Sequence, residues 1–192
     1  MKIVIPPEIR QLLEVIPPRS PFGQRDHAMI RLTYLVGLRV GELVSLLVGW
    51  VWANGQPKSW LELPASVCKT SRSRRVPLSL EAQQAVRDLV AFLEGRGFST
   101  GPGSPLLTDR HHRQLPEREV QRAMQRYREL ARLEVKATPH SLRHGFASEL
   151  VAQGVPVHSV QQLLGHKRLS STEVYLHSQP EDLRQAVSRL QL

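Results

Sequence analysis

A single cysteine in 192 residues, Cys68, rules out an internal disulfide and fits a reducing compartment. No apolar run reaches membrane-spanning length, and Met1-Lys2-Ile3-Val4-Ile5-Pro6-Pro7 lacks the apolar stretch of a secretory signal. The expected location is therefore the cytoplasm or nucleoid, with no membrane partner. No internal repeat or low-complexity tract is visible. Acid is in deficit: 17 Asp and Glu face 26 Lys and Arg, for a net charge of +9 and a pI near 10.6. Such a surplus draws a protein to polyanions through counterion release. On composition alone, a basic protein with scattered surface charge stands beside that reading. At 41% hydrophobic content the chain can bury one sizeable core, so one domain is expected. Beside Lys69, Cys68 reads as a small residue packed in a strand in preference to a reactive thiol.

The pattern along the chain is mostly helical. Apolar residues at Ile9, Leu12, Leu13 and Ile16, bounded by two Pro-Pro pairs, predict a helix over 8–16. A second covers 25–36 and ends at Gly37, and a third covers 40–48, leaving Arg39 in the turn between them. The character changes over 50–78. Asn54-Gly55 signals a tight turn, while Trp60-Leu61-Glu62-Leu63 and Arg75-Val76-Pro77-Leu78 look extended. A three-stranded antiparallel sheet follows, with Lys69 at its last hairpin. Helix returns over 80–98 and, rich in arginine, over 117–133. The expected class is α+β: a mainly helical single domain with a small three-stranded antiparallel sheet.

What stands out is a set of cations, imidazoles and one phenol. Gly37-Leu38-Arg39-Val40-Gly41-Glu42-Leu43 lies upstream; Thr138-Pro139-His140-Ser141-Leu142-Arg143-His144, Leu163-Leu164-Gly165-His166 and Tyr175 lie in the last third. In-line attack on a phosphodiester gathers negative charge on the non-bridging oxygens, and fixed donors aimed there lower the barrier. A guanidinium offers two parallel N–H groups and stays protonated, which makes Arg39 and Arg143 the candidate donors. His140 and Arg143, three apart after a helix-starting Pro139, share one face. Tyr175 is the natural nucleophile, since its oxygen can form a reversible phosphate ester. A phenol of pKa ~10 is only about 0.1% ionised at neutral pH, so it needs a base or a positive pocket. Arg72, Arg74 and Arg75 crowd the segment after Lys69, and Lys167-Arg168 follow His166, as on a phosphate-tracking surface.

In order and spacing, these segments resemble the catalytic domain of the tyrosine recombinases, the phage-integrase and Xer-like family. The likeness runs from about Ile5 to the C-terminus. It rests on Arg39 in Gly-Leu-Arg-x-x-Glu-Leu, Lys69 before a basic stretch ending Val-Pro-Leu, His140-x-x-Arg143, His166 in Leu-Leu-Gly-His, and Tyr175. The resemblance implies a DNA breaking-rejoining fold in which Tyr175 attacks the scissile phosphate of double-stranded DNA, leaving a 3′-phosphotyrosyl bond and a 5′-hydroxyl. Arg39, Arg143 and His166 would hold the phosphate, His140 would assist deprotonation of the tyrosine, and Lys69 would protonate the leaving oxygen. No metal, ATP or other cofactor is implied. The family also implies tetramers on DNA, with the C-terminal segment carrying Leu183, Ala186, Val187 and Leu190 docked on a neighbour or on its own domain. Typical members carry an N-terminal helical domain that clamps the DNA. Here residues 1–192 read as catalytic domain alone, whether an excised domain or a short relative.

Plainer readings stand beside these. Arg39 also suits a helix cap, and Tyr175, flanked by Val174 and Leu176, also suits a core. His140 and His144 have zinc spacing, but no matching Cys or Asp cluster accompanies them and Arg143 intervenes. Glu42, the acid nearest Arg39, is expected to hydrogen-bond His144. His111-His112 read as loop residues. Arg118, Arg122, Arg126 and Arg132 are either a solvated face or a DNA contact. Besides a strand transferase, a catalytically silent DNA-binding module and a topoisomerase-like relaxing enzyme remain open.

Overall fold

The computed structural model describes residues 4–17, 19–69 and 73–165. Eight helices and four short strands lie within them. Pro6 at the first helical position and Glu8, whose Oε2 accepts the Ile5 N–H at 2.7 Å, start α1 (Pro6–Glu14). Helix α2 (Gly23–Val36) is the axis of the core: Ala28, Met29, Ile30, Leu32 and Val36 are buried on several sides, so it lacks a wide polar face. It packs on α5 (Leu80–Gly95) and α7 (Pro139–Ala152). The α5 stripe of Ala82, Ala85, Val86, Leu89 and Leu93 repeats at helical spacing and closes that contact. Helix α6 (Glu117–Leu130) buries Val120, Ala123, Met124 and Tyr127 by the same rule. No described helix is long and apolar enough to cross a membrane.

Three helix ends fall three or more residues short of expectation. The third helix stops early, giving α3 (Val40–Val44) and then α4 (Val48–Val51), because the backbone between them turns to the loop before α6. Leu106 N–H donates to Leu46 O at 2.8 Å and Val48 N–H to Ser104 O at 2.9 Å. Helix α5 ends before Phe98: Gly97 takes φ +69° and the Phe98 N–H returns to Leu93 O, a Schellman closure. At Arg132 a φ of +52° lies past the end of α6.

The expected three-stranded sheet is split in two. Asn54 and Gly55, both at positive φ, close β1 (Trp52–Ala53) on β2 (Gln56–Pro57). Farther along the same extended run, β3 (Trp60–Leu63) pairs with β4 (Arg74–Pro77), Leu61 opposite Val76. The run pairs first with one neighbour and then with the other. With β1 only two residues long and following α4 directly, no described residue has a partner strand on both sides.

A buried polar joint fixes α2 to α6. Asp26, 1% exposed, accepts the Arg25 Nε–H at 2.9 Å, the Tyr127 O–H at 2.8 Å and an Arg126 N–H at 3.1 Å. Arg126, read from sequence as solvated face or DNA contact, serves this joint, while Arg122 pairs with Glu119 on the surface. Burial first, then the Asp26 charge and hydrogen bond, push the Tyr127 phenol up to about 12. Burial and the Glu149 charge do the same for Tyr34. A phenol that ionises near ~10 unfolded and higher when folded stabilises below pH ~10, and that contribution is lost as pH rises towards ~12. Tyr127→Phe should cost about 1–2 kcal/mol at neutral pH, with the loss of one buried hydrogen bond. It should also flatten part of the decline between pH ~10 and ~12, read by urea unfolding at each pH. Equal slopes in both proteins would assign the titration elsewhere.

Candidate active site

Glycine 37 ends α2 in the left-handed conformation, φ +65°, with the Phe146 ring where a side chain would start: Phe146 Cδ1 lies 2.4 Å from the position of a Cβ. No other residue fits that close approach without displacing α7. The reversal places Arg39 at the N-cap of α3, where its backbone N–H donates to Glu42 Oε2 at 2.8 Å. Of the two sequence readings of Arg39, the cap belongs to its backbone and to α3. Its guanidinium is left to point elsewhere, donating to Glu42 Oε1 at 2.9 Å and to Leu164 O at 3.3 Å.

Helix α7 delivers the second guanidinium. Thr138 and Ser141 cap its start reciprocally, the Ser141 N–H on Thr138 Oγ1 at 3.1 Å and the Thr138 N–H on Ser141 Oγ at 2.7 Å. That cap sets the phase of the first turn, and His140 and Arg143, expected on one face, part company: His140 is exposed while Arg143 is buried. Arg143, its side chain 6% exposed, donates to Gly37 O and Leu164 O at 2.6 Å each and lies 3.7 Å from Glu42. Helix α8 (Val157–Leu164) ends at Gly165, φ +64°, and its last carbonyls face this cluster.

A third guanidinium joins them. Arg74 is as buried as Arg143. It donates through Nη2 to Glu42 Oε2 at 2.5 Å and through Nη1 to Leu163 O. This corrects its sequence assignment to a DNA-tracking surface. Strand alternation explains the difference: Arg74 shares a face with buried Val76, while Arg75 between them points out. Arg75 pairs with Glu62 at 3.1 Å and lies over the Trp60 ring at 4.7 Å. That two-residue spacing from Val76 was the signal available in the sequence. An open groove of about 1070 Å³ runs along this sheet between Trp50, Lys58, Trp60, Arg74 and Arg75.

The centre thus holds three guanidiniums against one carboxylate, two positive charges in excess. The negative end of α8 offsets only part of that surplus. Burial pushes the Arg74 guanidinium down, opposed by Glu42, but arginine remains charged. The expected Glu42–His144 hydrogen bond is absent because guanidiniums and the Arg39 amide fill the Glu42 carboxylate. His144 instead lies on His140, Nε2 to Nε2 at 3.2 Å. Burial, then His140 and Arg143, hold His144 below the ordinary imidazole range, so at neutral pH it is uncharged. Among the described residues no group of three or more His, Cys, Asp or Glu is placed to hold a metal ion. Cys68 is buried in the turn after β3 and not in the strand; burial raises its thiol, which leaves it poorly reactive. Lys69 follows it, exposed. Arg72, His166, Lys167, Arg168, Tyr175 and the C-terminal segment through Leu190 lie outside the described residues. The structure therefore brings together Arg39, Glu42, Arg74 and Arg143, sets His140 and His144 on α7, the helix that carries Arg143, and leaves Arg75 on the outer face.

The model of the phage integrase family matches residues 3–182. The chain is 33% identical over 181 residues to tyrosine recombinase XerC of Pelotomaculum thermopropionicum, covering 92% of this chain and 57% of that protein. It is 35% identical over 192 residues to XerA of Thermococcus kodakarensis, covering 96% and 61%. It spans, then, little more than half the length of these relatives. A structure of the Tn1549 transposon integrase in complex with circular intermediate DNA superposes with a TM-score of 0.79 at 19% identity, over 99% of this chain and 67% of that one.

Glu42 holds like charges together, so its loss should be costly. Glu42→Gln should lower the unfolding free energy in urea by about 3 kcal/mol, the range for breaking a buried ion pair. A change below about 1 kcal/mol, typical of an exposed pair, would show that the carboxylate does not bind the cluster.

Proposed function

The chain belongs to the phage integrase family, and from that premise we propose that residues 1–192 act as the catalytic domain of a site-specific recombinase that cuts and rejoins double-stranded DNA through a 3′-phosphotyrosyl bond. The observation that carries this reading is the gathering of Arg39 and Arg143 on one carboxylate and one helix end. Two guanidiniums held side by side offer a fixed, positively charged seat for a phosphodiester. The net charge of +9 favours DNA over smaller phosphates, since each phosphate neutralised releases counterions.

In the proposed reaction the Tyr175 oxygen bonds to phosphorus as the bond to the 5′-oxygen breaks. His140, exposed at the start of α7, takes the phenolic proton, directly or through water. Arg39, Arg143 and His166 stabilise the charge on the non-bridging oxygens, and Lys69 gives a proton to the departing 5′-oxygen. Rejoining runs the same steps backward with a new 5′-hydroxyl. Energy is kept in the protein–DNA ester, so the cycle uses neither ATP nor metal. Arg75, Arg72, Lys167 and Arg168 serve as phosphate contacts, which set position without reading sequence. Recombination needs two duplexes, so protomers assemble on DNA as a tetramer through the C-terminal segment.

The test is covalent trapping on nicked duplexes randomised around the break, with adducts resolved under denaturing conditions. The wild-type chain should form an adduct, and Tyr175→Phe should form none while keeping its affinity for duplex. Arg143→Ala should trap more slowly by on the order of 10². An adduct in Tyr175→Phe would move the nucleophile elsewhere, and none with wild type on any duplex would leave a silent DNA-binding module. Lys69 has its own measurement: with sulfur in place of the bridging 5′-oxygen, the leaving group needs no protonation. Lys69→Ala should then recover to near the wild-type rate, and a defect that persists would remove Lys69 from the acid role.

A further inference from the structure

Arg74 is not used by the reaction proposed above, yet its side chain is as enclosed as that of Arg143 and links three elements of the site. It comes from β4, five residues after Lys69, and its guanidinium spans two other elements, Glu42 of α3 and Leu163 at the end of α8. Its stem crosses Gly165, with Cδ 2.9 Å from where a Cβ would stand, so that position must be glycine for space as well as for its φ of +64°. Its Nε–H is buried and has no hydrogen-bond partner among the described residues, which marks a side chain held for its two end groups. With 6% of its side chain exposed, it has no surface to lay along a DNA backbone.

The two groups Arg74 grips are the ones that aim the phosphate donors. Glu42 Oε2 accepts both Arg74 and the Arg39 backbone N–H, while Oε1 takes the Arg39 side chain. Leu163 O, taken by Arg74, is one peptide from Leu164 O, which accepts from both Arg39 and Arg143. We propose that Arg74 is a positioning residue for DNA cleavage: it fixes the Glu42 carboxylate and the last turn of α8 as one frame on which Arg39 and Arg143 are oriented, and it ties that frame to the strand following the Lys69 turn. The proposal rests on the recombinase reading for the reaction and on geometry alone for the frame. Removing one partner of a buried ion pair usually costs stability as well, so a positioning role is read from the reaction and from the other arginines rather than from unfolding. In Arg74→Met, Glu42 keeps two guanidinium partners, so no carboxylate is orphaned.

The experiment compares wild type, Arg74→Met and Arg74→Lys as full chains on a nicked duplex recovered by trapping. Single-turnover trapping at saturating protein should slow about tenfold or more in Arg74→Met, as expected for a coupled network. Duplex affinity should stay within about threefold, which a lost phosphate contact would exceed. Arg74→Lys should remain slow, since an ammonium cannot span both acceptors as a planar fork does; it also carries the test if Arg74→Met folds poorly. Full rate in either variant overturns the proposal, as does lost affinity with an unchanged rate from the bound complex. NMR of isotope-labelled arginine side chains supplies an arm independent of activity. In Arg74→Met the Nε–H signals of Arg39 and Arg143 should shift and exchange faster with water. If wild type traps no DNA the recombinase reading fails, and unchanged Arg39 and Arg143 signals overturn the frame.

Discussion

One carboxylate, Glu42, makes the rest of this structure possible. Three guanidiniums do not gather unaided in a site from which water is largely excluded; each would lose hydration and repel the others. Glu42, 1% exposed, supplies the charge that draws in Arg39, Arg74 and Arg143, and the end of α8 supplies carbonyls. Chain connectivity gives these contacts their reach. The four side chains come from the α2–α3 turn, α3, β4 and α7, so one small electrostatic knot joins the helical core, the hairpin and the last described helix. Asp26 does similar work across α2 and α6 with Arg25, Arg126 and Tyr127, but there hydrogen bonds satisfy the charges within the fold.

That difference separates a structural joint from a site. At Asp26 the carboxylate meets a buried arginine, a phenol and an arginine largely in water, and nothing further is required. Around Glu42 two positive charges remain in excess, held by backbone carbonyls that carry only partial negative charge. Such a surplus costs folding energy that a neighbouring anion would offset. With the donors already fixed, the phosphodiester proposed above would bind with little reorganisation.

Much of this was legible in the chain. Gly37 announces a helix end, and α2, α5 and α6 fall within a few positions of the helices expected over 25–36, 80–98 and 117–133. Arg39, His140 and Arg143 can be picked out because their spacing survives whatever the tertiary detail. Directions in the hairpin were harder to read. Arg74 and Arg75 are adjacent and identical in type, and only alternation with buried Val76 tells which enters the site. The sheet was misjudged for a related reason: alternation marks extended backbone but not where pairing passes from one neighbour to the next. Glu42 was linked to His144 by nearness of motifs in sequence, whereas the third guanidinium that fills it comes from a strand 32 residues away.

The position of the imidazoles follows from the same electrostatics. Burial first, then His140 and Arg143, hold His144 below the ordinary imidazole range. Its ring lies against His140, Nε2 to Nε2 at 3.2 Å. A neutral imidazole near a positive pocket is the form able to accept a proton from a phenol, and the pocket favours the phenolate and phosphate that result. A carboxylate base in the place of His140 would add a second negative charge, compete with the phosphate for the same guanidiniums, and weaken the seat it was meant to serve.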